Sequence, residues 1–330
     1  MRNIPNASIK GQCAKDYFYG RDGVLEAAFS EIEGKYGALV KRLNSNPQAS
    51  ENDLINLKFF SYLQYSRTEF AVKRQQAVML GMEQLIYERD PSQNPGLDTS
   101  DEAIILLSLK MFAETYEYLS DLKTYIIKNN TDRDFITSDD PAIFWNKFLA
   151  QRMGMKNGNF GINNAGVVLT MPLSPRYLLI SYDSEVYHAP KKDHSVIPTN
   201  KITDIDALNL LQVLNANENL YFQNWDQSDH IEEIYKKSIS LRPAARHELH
   251  YAVKDSVGEL GERYKVVHTE EERLQANEAL IALETKRPTP TTFFSGLQIR
   301  TKPQFLDTKS GAGLVRKKAH ALYRTSRHEA

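Results

Sequence analysis

Residues 135–141, Phe-Ile-Thr-Ser-Asp-Asp-Pro, decide the fold of this chain. A short apolar run ends there in two hydroxyl groups and two adjacent carboxylates, and a second run, Met-Pro-Leu-Ser-Pro, follows at residues 171–175. Polar side chains at the end of a buried strand are a common location for binding and chemistry. The two runs therefore predict a small sheet with a polar rim in the middle of the chain.

Strand patterns surround both runs. They predict strands at Phe135–Thr137, Val167–Met171 and Tyr177–Ser181, the last two being antiparallel neighbours. Pro172 and Pro175 are expected in the connection between these two neighbours, because proline lacks the N–H group that a central ladder requires.

The first 130 residues have helical patterns. Apolar residues recur there at steps of three and four, which predicts helices over residues 24–40, 54–90 and 100–126. Ser50 and Asp53 have the spacing of a capping box at the start of the second helix. Further helices are predicted over residues 142–151 (with Pro141 in the first turn), 204–222, 229–240 and 269–283, followed by a hairpin around Ile299 and Phe305.

These elements predict an α+β fold, in which a mainly helical N-terminal half packs on a small, mostly antiparallel central sheet and further helices follow. We expect two domains, residues 1–225 and a C-terminal extension of residues 226–330 that carries a basic tail. Residues 218–223, Glu-Asn-Leu-Tyr-Phe-Gln, match the recognition hexamer of a viral protease used to remove tags. Because the hexamer continues the helical pattern of residues 204–222, we interpret it as a native segment.

The composition is that of an ordinary soluble protein. Of the 330 residues, 41% are apolar and 25% are charged, and the net charge of −1 argues against a global attraction to nucleic acid or acidic membranes. The single cysteine, Cys13, excludes an intramolecular disulfide and a cysteine-based zinc site. Since no apolar run is long enough to span a bilayer and no signal-type segment is recognisable, we expect a cytoplasmic protein without membrane contact.

The charge is distributed unevenly. From Thr285 to Ala330 the chain has ten Lys and Arg residues against two acidic ones, so this tail carries +8 and the first 284 residues carry −9. Basic tails can contact nucleic acid or phosphate, and Arg316, Lys317 and Lys318 are the candidate contact residues. The alternative is a tail that is solvated or docked on the acidic body of the protein.

Several polar residues are candidates for one site at the sheet rim. Glu26 and Glu33 lie seven residues apart and share a helix face, as do Gln64 and Arg67, which lie three apart. We expect folding to bring these side chains to the end of the first predicted strand. The candidate binding cluster therefore consists of Glu26, Glu33, Gln64, Arg67, Ser138, Asp139 and Asp140.

This cluster has two interpretations. In the first, Asp139 and Asp140 hold a divalent metal ion through oxygen ligands, and Arg67 faces a phosphate. In the second, the cluster is a structural salt-bridge network, and Ser138 or Asp140 simply caps the helix predicted at Pro141. Other chemistry has little support. The chain lacks a Gly-rich phosphate loop, and His247 and His250, three residues apart, lack the third ligand of the known zinc helices.

Several short motifs resemble those of the bacterial domain-of-unknown-function family 4238 (DUF4238). They are residues 17–20, 24–26, 32–33, 64, 67–68, 135–141, 172–175, 208–209 and 216, in this order. The resemblance covers about residues 4–225 and implies a shared fold without an assigned activity. Family members often carry Asn where this chain has Asp140, and many have a His-rich start, whereas this chain has Ile4-Pro5 and no His there.

The sequence leaves three function classes. The favoured one is a ligand-binding or protein-interaction module whose partner is an unknown protein or a small molecule. The alternative is a metal-assisted phosphodiesterase or nuclease-like enzyme, in a context of bacterial defence or mobile elements, with a divalent metal as cofactor. The third is an interaction subunit whose basic tail contacts nucleic acid or an acidic partner. No catalytic residue can be assigned, because no known catalytic signature is present.

Overall fold

The structure is a computed structural model of the chain. It describes residues 4–6, 19, 23–46, 48–92, 96–152, 154, 160–190, 192–243, 246–258, 261–267, 269, 271–272, 279–308 and 313–328. The helices in these ranges are α1 (Val24–Ser45), α2 (Glu51–Arg67), α3 (Glu69–Arg89), α4 (Asp101–Thr115), α5 (Lys147–Arg152), α6 (Ile202–Asn215), α7 (Ser228–Ser238) and α8 (Lys317–His328). Short 3-10 helices occur at Tyr116–Leu119, Trp225–Gln227 and Ile239–Leu241.

The strands form one central sheet and several smaller ones. They are β1 (Lys123–Asn129), β2 (Thr137–Ser138), β3 (Ile143–Trp145), β4 (Val168–Ser174), β5 (Tyr177–Tyr182), β6 (Tyr187–His188), β7 (Val196–Thr199), β8 (Leu220–Tyr221), β9 (His247–Gly258), β10 (Gly261–Val267), β11 (Ala279–Thr285), β12 (Gln298–Ile299), β13 (Leu306–Asp307) and β14 (Leu314–Val315). Together with the helices they make an α+β fold, as predicted.

The central sheet has the strand order β3-β4-β5-β1-β7. Its pairs are antiparallel except β1 with β7, which is parallel. All six residues of β5 are buried, which indicates that the sheet is covered on both faces. Helix α2 packs against β1, β4 and β5, and α6 packs against β2 and β3. Helices that precede and follow the central sheet in sequence therefore pack against it.

A second sheet, of order β10-β9-β11, lies in the C-terminal part of the chain. It packs against α3, where the Tyr251 hydroxyl donates to the carbonyl oxygen of Leu85. Gly81 of α3 has no side chain at the point where Leu249 approaches, and an added Cβ would lie 2.4 Å from a methyl carbon of Leu249. This glycine therefore allows the close contact between α3 and β9.

Two local predictions are confirmed. The capping box starts α2, since Ser50 Oγ accepts the N–H of Asp53 at 3.2 Å and the Asp53 carboxylate accepts the N–H of Ser50 at 2.8 Å. β4 and β5 are antiparallel neighbours, as expected. Pro172, however, lies within β4 opposite Leu178, and the ladder is irregular directly after it. An irregularity of this kind tolerates the missing N–H group.

The helical predictions were wrong at three places in the first half of the chain. The helix expected over residues 54–90 breaks at Thr68, whose ψ of 155° is extended and whose Oγ1 caps the next helix through the N–H of Ala71. Helix α4 ends at Thr115, and the apolar residues around Ile126 form β1 instead. A strand covered on both faces has a continuous apolar pattern, which periodicity alone cannot distinguish from a buried helix.

The third error concerns the residues directly after the two aspartates. Ile143–Trp145 is a fully buried strand, and only Lys147–Arg152 is helical. Pro141 is therefore not in the first turn of a helix, and Asp140 and Ser138 do not cap one. The first predicted strand is present but displaced to Thr137–Ser138.

The C-terminal predictions also need correction. α6 ends at Asn215, and the hexamer at residues 218–223 contributes a turn and β8, which pairs with β2. Leu280 and Leu283 lie in β11 rather than in a helix, although the N–H of Glu272 does bond the Thr269 hydroxyl as a cap would. Ile299 and Phe305 do not form one hairpin, because β12 pairs with β6 and β13 with β14. These strands depend on pairing partners that are far away in sequence. Local sequence patterns do not predict such pairing.

No helix in the described ranges has both the length and the apolar character required to cross a bilayer.

Candidate functional site

Arg67, the last residue of α2, binds Glu33, another member of the predicted cluster. Its Nη2 lies 2.6 Å from Glu33 Oε1, its Nη1 donates to the Tyr19 hydroxyl at 3.1 Å, and its guanidinium lies 4.8 Å from the Phe29 ring centroid. Arg67 is only 5% exposed, whereas half of the Glu33 side chain is exposed. Its Nε has no hydrogen-bond partner among the described residues. This ion pair fastens α1 to α2.

Two further members of the predicted cluster lie near this ion pair without binding it. Gln64 is partly exposed on α2 and makes no side-chain hydrogen bond to any described residue. Glu26 is exposed on α1. Burial raises the pKa of the nearby Tyr19 hydroxyl, and Glu26 adds only a minor electrostatic contribution in the same direction.

Asp139 accepts hydrogen bonds from three successive backbone N–H groups. They belong to Asn217, Glu218 and Asn219, at donor–acceptor distances of 2.9, 2.7 and 3.0 Å. These residues form the turn between α6 and β8, so the carboxylate joins the end of β2 to the end of α6. Three bonds to a charged acceptor are a strong structural anchor.

Asp140 is almost completely buried, with 1% exposure. Its carboxylate accepts from Asn215 Nδ2 at 2.9 Å and from Thr68 Oγ1 at 3.3 Å. Burial raises the pKa of this carboxyl group, while Arg74 and Arg246 act in the opposite direction. Asp140 is thus a buried acid that faces basic side chains.

Ser138 connects the aspartates to α6. Its Oγ donates to Gln212 Oε1 at 2.8 Å and accepts the N–H of Asp140 at 3.3 Å. Among the described residues, no hydrogen bond or ion pair joins Ser138, Asp139 or Asp140 directly to Arg67 or Glu33. The predicted cluster is therefore two groups, linked through Thr68, the residue after Arg67.

A basic group that the sequence did not reveal lies beside Asp140. We call it the arginine cluster: Arg74 from α3, Arg246 directly before β9 and Arg287 after β11. All three act on His247, whose pKa is lowered to about 4 by burial first and then by Arg74, Arg287 and Arg246. Three guanidinium groups from distant parts of the chain therefore lie close enough to one imidazole to act on it.

Tyr65 interacts with two of these arginines. The Arg74 guanidinium is 4.5 Å from the Tyr65 ring centroid and bonds the Tyr65 carbonyl oxygen at 3.2 Å, while Arg287 acts on the Tyr65 hydroxyl through its charge. Burial acts to raise the pKa of Tyr65, but Arg74 and Arg287 outweigh it and lower the pKa below the usual value. The two arginines thus favour the ionised form of Tyr65 more than water does for an ordinary tyrosine.

Arg246 stabilises the C-terminus of α6. Its Nη2 donates to the carbonyl oxygens of Leu214 and Asn215 at 3.0 and 2.9 Å, and its guanidinium lies 4.8 Å from the Phe70 ring centroid. A cation at the C-terminus of a helix interacts favourably with the helix dipole. Burial lowers the pKa of Arg246 to about 10, and Arg242 adds to this effect.

A cavity of about 40 Å³ lies next to the arginine cluster. Its walls come from β3, α5, α6 and the segment 287–293, and they are mainly apolar and aromatic, with Trp145, Phe160 and Phe293 among them. Asn215 and Arg287 provide polar groups, and both also belong to the surroundings of Asp140 or Tyr65. An apolar cavity with a few convergent polar groups is the usual form of a small-molecule site.

The one group of described residues that could hold a metal through three His or carboxylate ligands includes neither aspartate. It consists of Glu248, His250 and Glu284 on β9 and β11, whose ligand atoms all lie within 4.8 Å of one another. Asp139 and Asp140 are not part of such a group among the described residues.

A family model described as "Protein of unknown function (DUF4238)" matches residues 1–226. The chain belongs to the DUF4238 family. The match agrees with the resemblance over residues 4–225 that the motifs indicate. No curated protein and no solved structure matches the chain.

Only part of the site lies within the residues that the DUF4238 model matches. Tyr65, Arg74 and Asp140 lie within the matched residues, whereas Arg246 and Arg287 lie after them. The arginine cluster is therefore assembled from the family region and the C-terminal extension. Its members are far apart in sequence and follow no motif, and the sole signal in the sequence is the basic excess after Thr285, which includes Arg287.

The basic tail contributes less exposed charge than its composition suggests. Arg316 is 3% exposed, its Nε lies 3.0 Å from the Asp121 carboxylate, and its other nitrogens bond the carbonyl oxygens of Tyr118 and Ile162. Arg316 thus holds the tail on the body of the protein. Lys317 and Lys318, at the start of α8, are exposed.

Proposed function

We propose that this protein is a binding module for a small phosphate-bearing ligand, whose anionic group is held by Arg74, Arg246 and Arg287. The observation that carries the proposal is the convergence of three guanidinium groups on a site that contains one carboxylate, Asp140. The cavity beside Arg287 would receive the remainder of the ligand.

The first argument is the balance of charge. Within the part of the chain that the structure describes, none of the three arginines forms an ion pair with a carboxylate. Asp140 acts on them only at longer range, and its own charge is disfavoured by burial. The dipole of α6 compensates part of the charge of Arg246 alone. The three guanidinium groups bond neutral carbonyl oxygens, and an anion would add the charged partner that partly buried cations favour.

The second argument is the type of cation. Guanidinium groups offer paired N–H donors that match the oxygens of a phosphate, and several of them around one point are typical of phosphate recognition. Arg74 stacks on the Tyr65 ring and Arg287 also acts on Tyr65, so one tyrosine links two of the three guanidinium groups. The segment 287–293 would move if the ligand carried more than a few atoms beyond the phosphate, because a cavity of about 40 Å³ holds only about three water molecules.

The surroundings of the two aspartates do not favour the metal-assisted phosphodiesterase. Asp139 already accepts three backbone N–H groups, and Asp140 faces Arg74 and Arg246. A cation between them would meet positive potential and would have to displace the existing donors.

Inorganic phosphate is the probe that tests the proposal. We expect phosphate to raise the thermal unfolding temperature of the full chain more than chloride does at the same ionic strength. In calorimetry, Arg74→Gln and Arg287→Gln should weaken phosphate binding by about tenfold or more, since each removes a charge-assisted hydrogen bond. Arg287→Lys should bind with intermediate affinity, because it keeps the charge and loses the paired donors.

Arg300→Gln is the matched control. Arg300 is exposed and its Nε bonds the Ser184 carbonyl oxygen, outside the arginine cluster. Equal phosphate binding by the Arg300→Gln, Arg74→Gln and Arg287→Gln variants, with all three folded by circular dichroism, would show that the arginine cluster is not the binding site.

A further inference from the structure

We propose that Glu248, His250 and Glu284 bind a divalent transition-metal ion, for which Zn²⁺ is the probe. The site lies on the C-terminal sheet and requires none of the three arginines. It is therefore independent of the phosphate site and goes beyond the proposed binding function.

The strand register brings the three ligands together. Glu248 and His250 are two residues apart on β9 and point to the same face of the sheet. Glu284 of β11 is paired with Glu248 across the ladder, so its side chain lies on that face as well. His250 Nε2 is 3.3 Å from Glu284 Oε2 and 3.7 Å from Glu248 Oε2. The exposed fractions of the three side chains are between 22% and 35%.

These distances are those of ligands around an ion. A charge-assisted N–H···O hydrogen bond is about 2.7–2.9 Å long, so His250 stands too far from both carboxylates for an optimal ion pair. Ligand atoms at roughly 2.0–2.2 Å from a tetrahedral zinc ion are separated by about 3.3–3.6 Å. The observed 3.3 and 3.7 Å are close to that separation.

The donor set selects the class of metal. One imidazole nitrogen and two carboxylate oxygens suit Zn²⁺ and similar transition metals, whereas Mg²⁺ requires oxygen ligands and retains its water. Three protein ligands would leave the fourth position of a tetrahedral ion to water. The ion would also relieve the repulsion between the two facing carboxylates.

Lys286 competes with the metal for one ligand. Its Nζ lies 2.6 Å from Glu248 Oε2 and holds the pKa of Glu248 below the usual value by this hydrogen bond. The metal must displace the ammonium group to bind that oxygen. Replacing Lys286 by Met, which keeps the apolar stem and removes the charge, should therefore strengthen zinc binding.

Calorimetric titration of the metal-free full chain with Zn²⁺ tests the site. We expect one ion per chain, with binding at least about tenfold weaker in Glu284→Gln and in His250→Ala because each loses one of three ligands. Lys286→Met should bind more tightly than the wild type. His194→Ala is the matched control, because His194 is an exposed histidine 3.8 Å from a single carboxylate, that of Asp193, and its replacement should leave the affinity unchanged.

The alternative is that His250 only forms ion pairs with the two glutamates, and it predicts the opposite outcome. In that case Glu284→Gln and wild type bind zinc equally, and Lys286→Met brings no gain, which would overturn the proposal. The gain expected for Lys286→Met cannot arise from misfolding, so it keeps the test decisive if Glu284→Gln is unstable. Phosphate binding by the Glu284→Gln variant reports separately on the arginine cluster.

Discussion

At the scale of single residues, neighbours in sequence have different roles in the site. The Asp139 carboxylate accepts hydrogen bonds from backbone N–H groups of the turn after α6. The adjacent Asp140 is buried and faces Arg74 and Arg246. The motif lies at the end of β2, which pairs with β8 and is not part of the central sheet. It could not separate their roles, because the separation depends on partners about 80 residues later and on an arginine from α3.

His247 makes stability depend on pH. Its pKa is about 4 in the folded chain and about 6.5 in an unfolded one, so between these values the unfolded state binds one more proton. The contribution of the neutral imidazole is complete above about pH 6.5 and is lost as the pH falls towards 4. Urea unfolding across this range should show a smaller decrease in the free energy of unfolding for His247→Gln than for the wild type.

The exposed His194 is the control for this pH series, and His194→Gln should keep the wild-type slope. The raised pKa of Asp140 acts in the opposite direction, but it is common to all three proteins and does not affect the comparison. Identical slopes in wild type and His247→Gln would contradict the environment described for this imidazole.

At the scale of elements, helix ends and strand pairs position the site. The break at Thr68 separates α2 from α3. Arg67 is therefore the last residue of the first helix, and Arg74 lies in the second. The end of α6 at Asn215 supplies the amide that bonds Asp140 and the carbonyl groups that bind Arg246. Side chains from other parts of the fold stabilise the ends of both α2 and α6. The apolar periodicity of the sequence does not contain this information, and the helices predicted from it are therefore too long.

Asp139→Asn tests the connection between β2 and the turn after α6. The substitution removes the charge and one accepting oxygen, so at least one of the three N–H groups loses its partner. We expect a loss of about 1–3 kcal/mol in the free energy of unfolding, measured with urea. Glu218→Gln, an acid in the same turn with a 66% exposed side chain, should change stability by less than about 0.5 kcal/mol. Equal effects of the two variants would contradict an anchoring role for Asp139.

At the scale of the whole molecule, the C-terminal extension shares the main core with the family region. Phe294 and Leu297 are almost completely buried and belong to the same cluster as residues of α2 and the central sheet. Arg316 fastens a later segment to Asp121. The division into domains at residue 225 stays a prediction, as do a protein partner and a nucleic-acid contact through Lys317 and Lys318.

A chain that ends at residue 226 tests how much the family region depends on the extension. It would expose the apolar surface that Phe294, Leu297 and Tyr251 cover, and it would lack Arg246 and Arg287. We expect this fragment to bind a hydrophobic dye and to unfold at a lower urea concentration and less cooperatively than the full chain. A fragment as stable and cooperative as the full chain would contradict the shared core.

The sequence by itself determined the α+β class, α1, the capped start of α2 and the β4–β5 pair. Each depends on local spacing, capping or alternation, which are properties of a short segment. Only the tertiary structure decided that the residues around Ile126 form a strand, that the candidate cluster divides in two, and that Arg74, Arg246 and Arg287 converge. These features depend on burial and on partners far away in sequence, and such contacts leave no periodic signal in one chain.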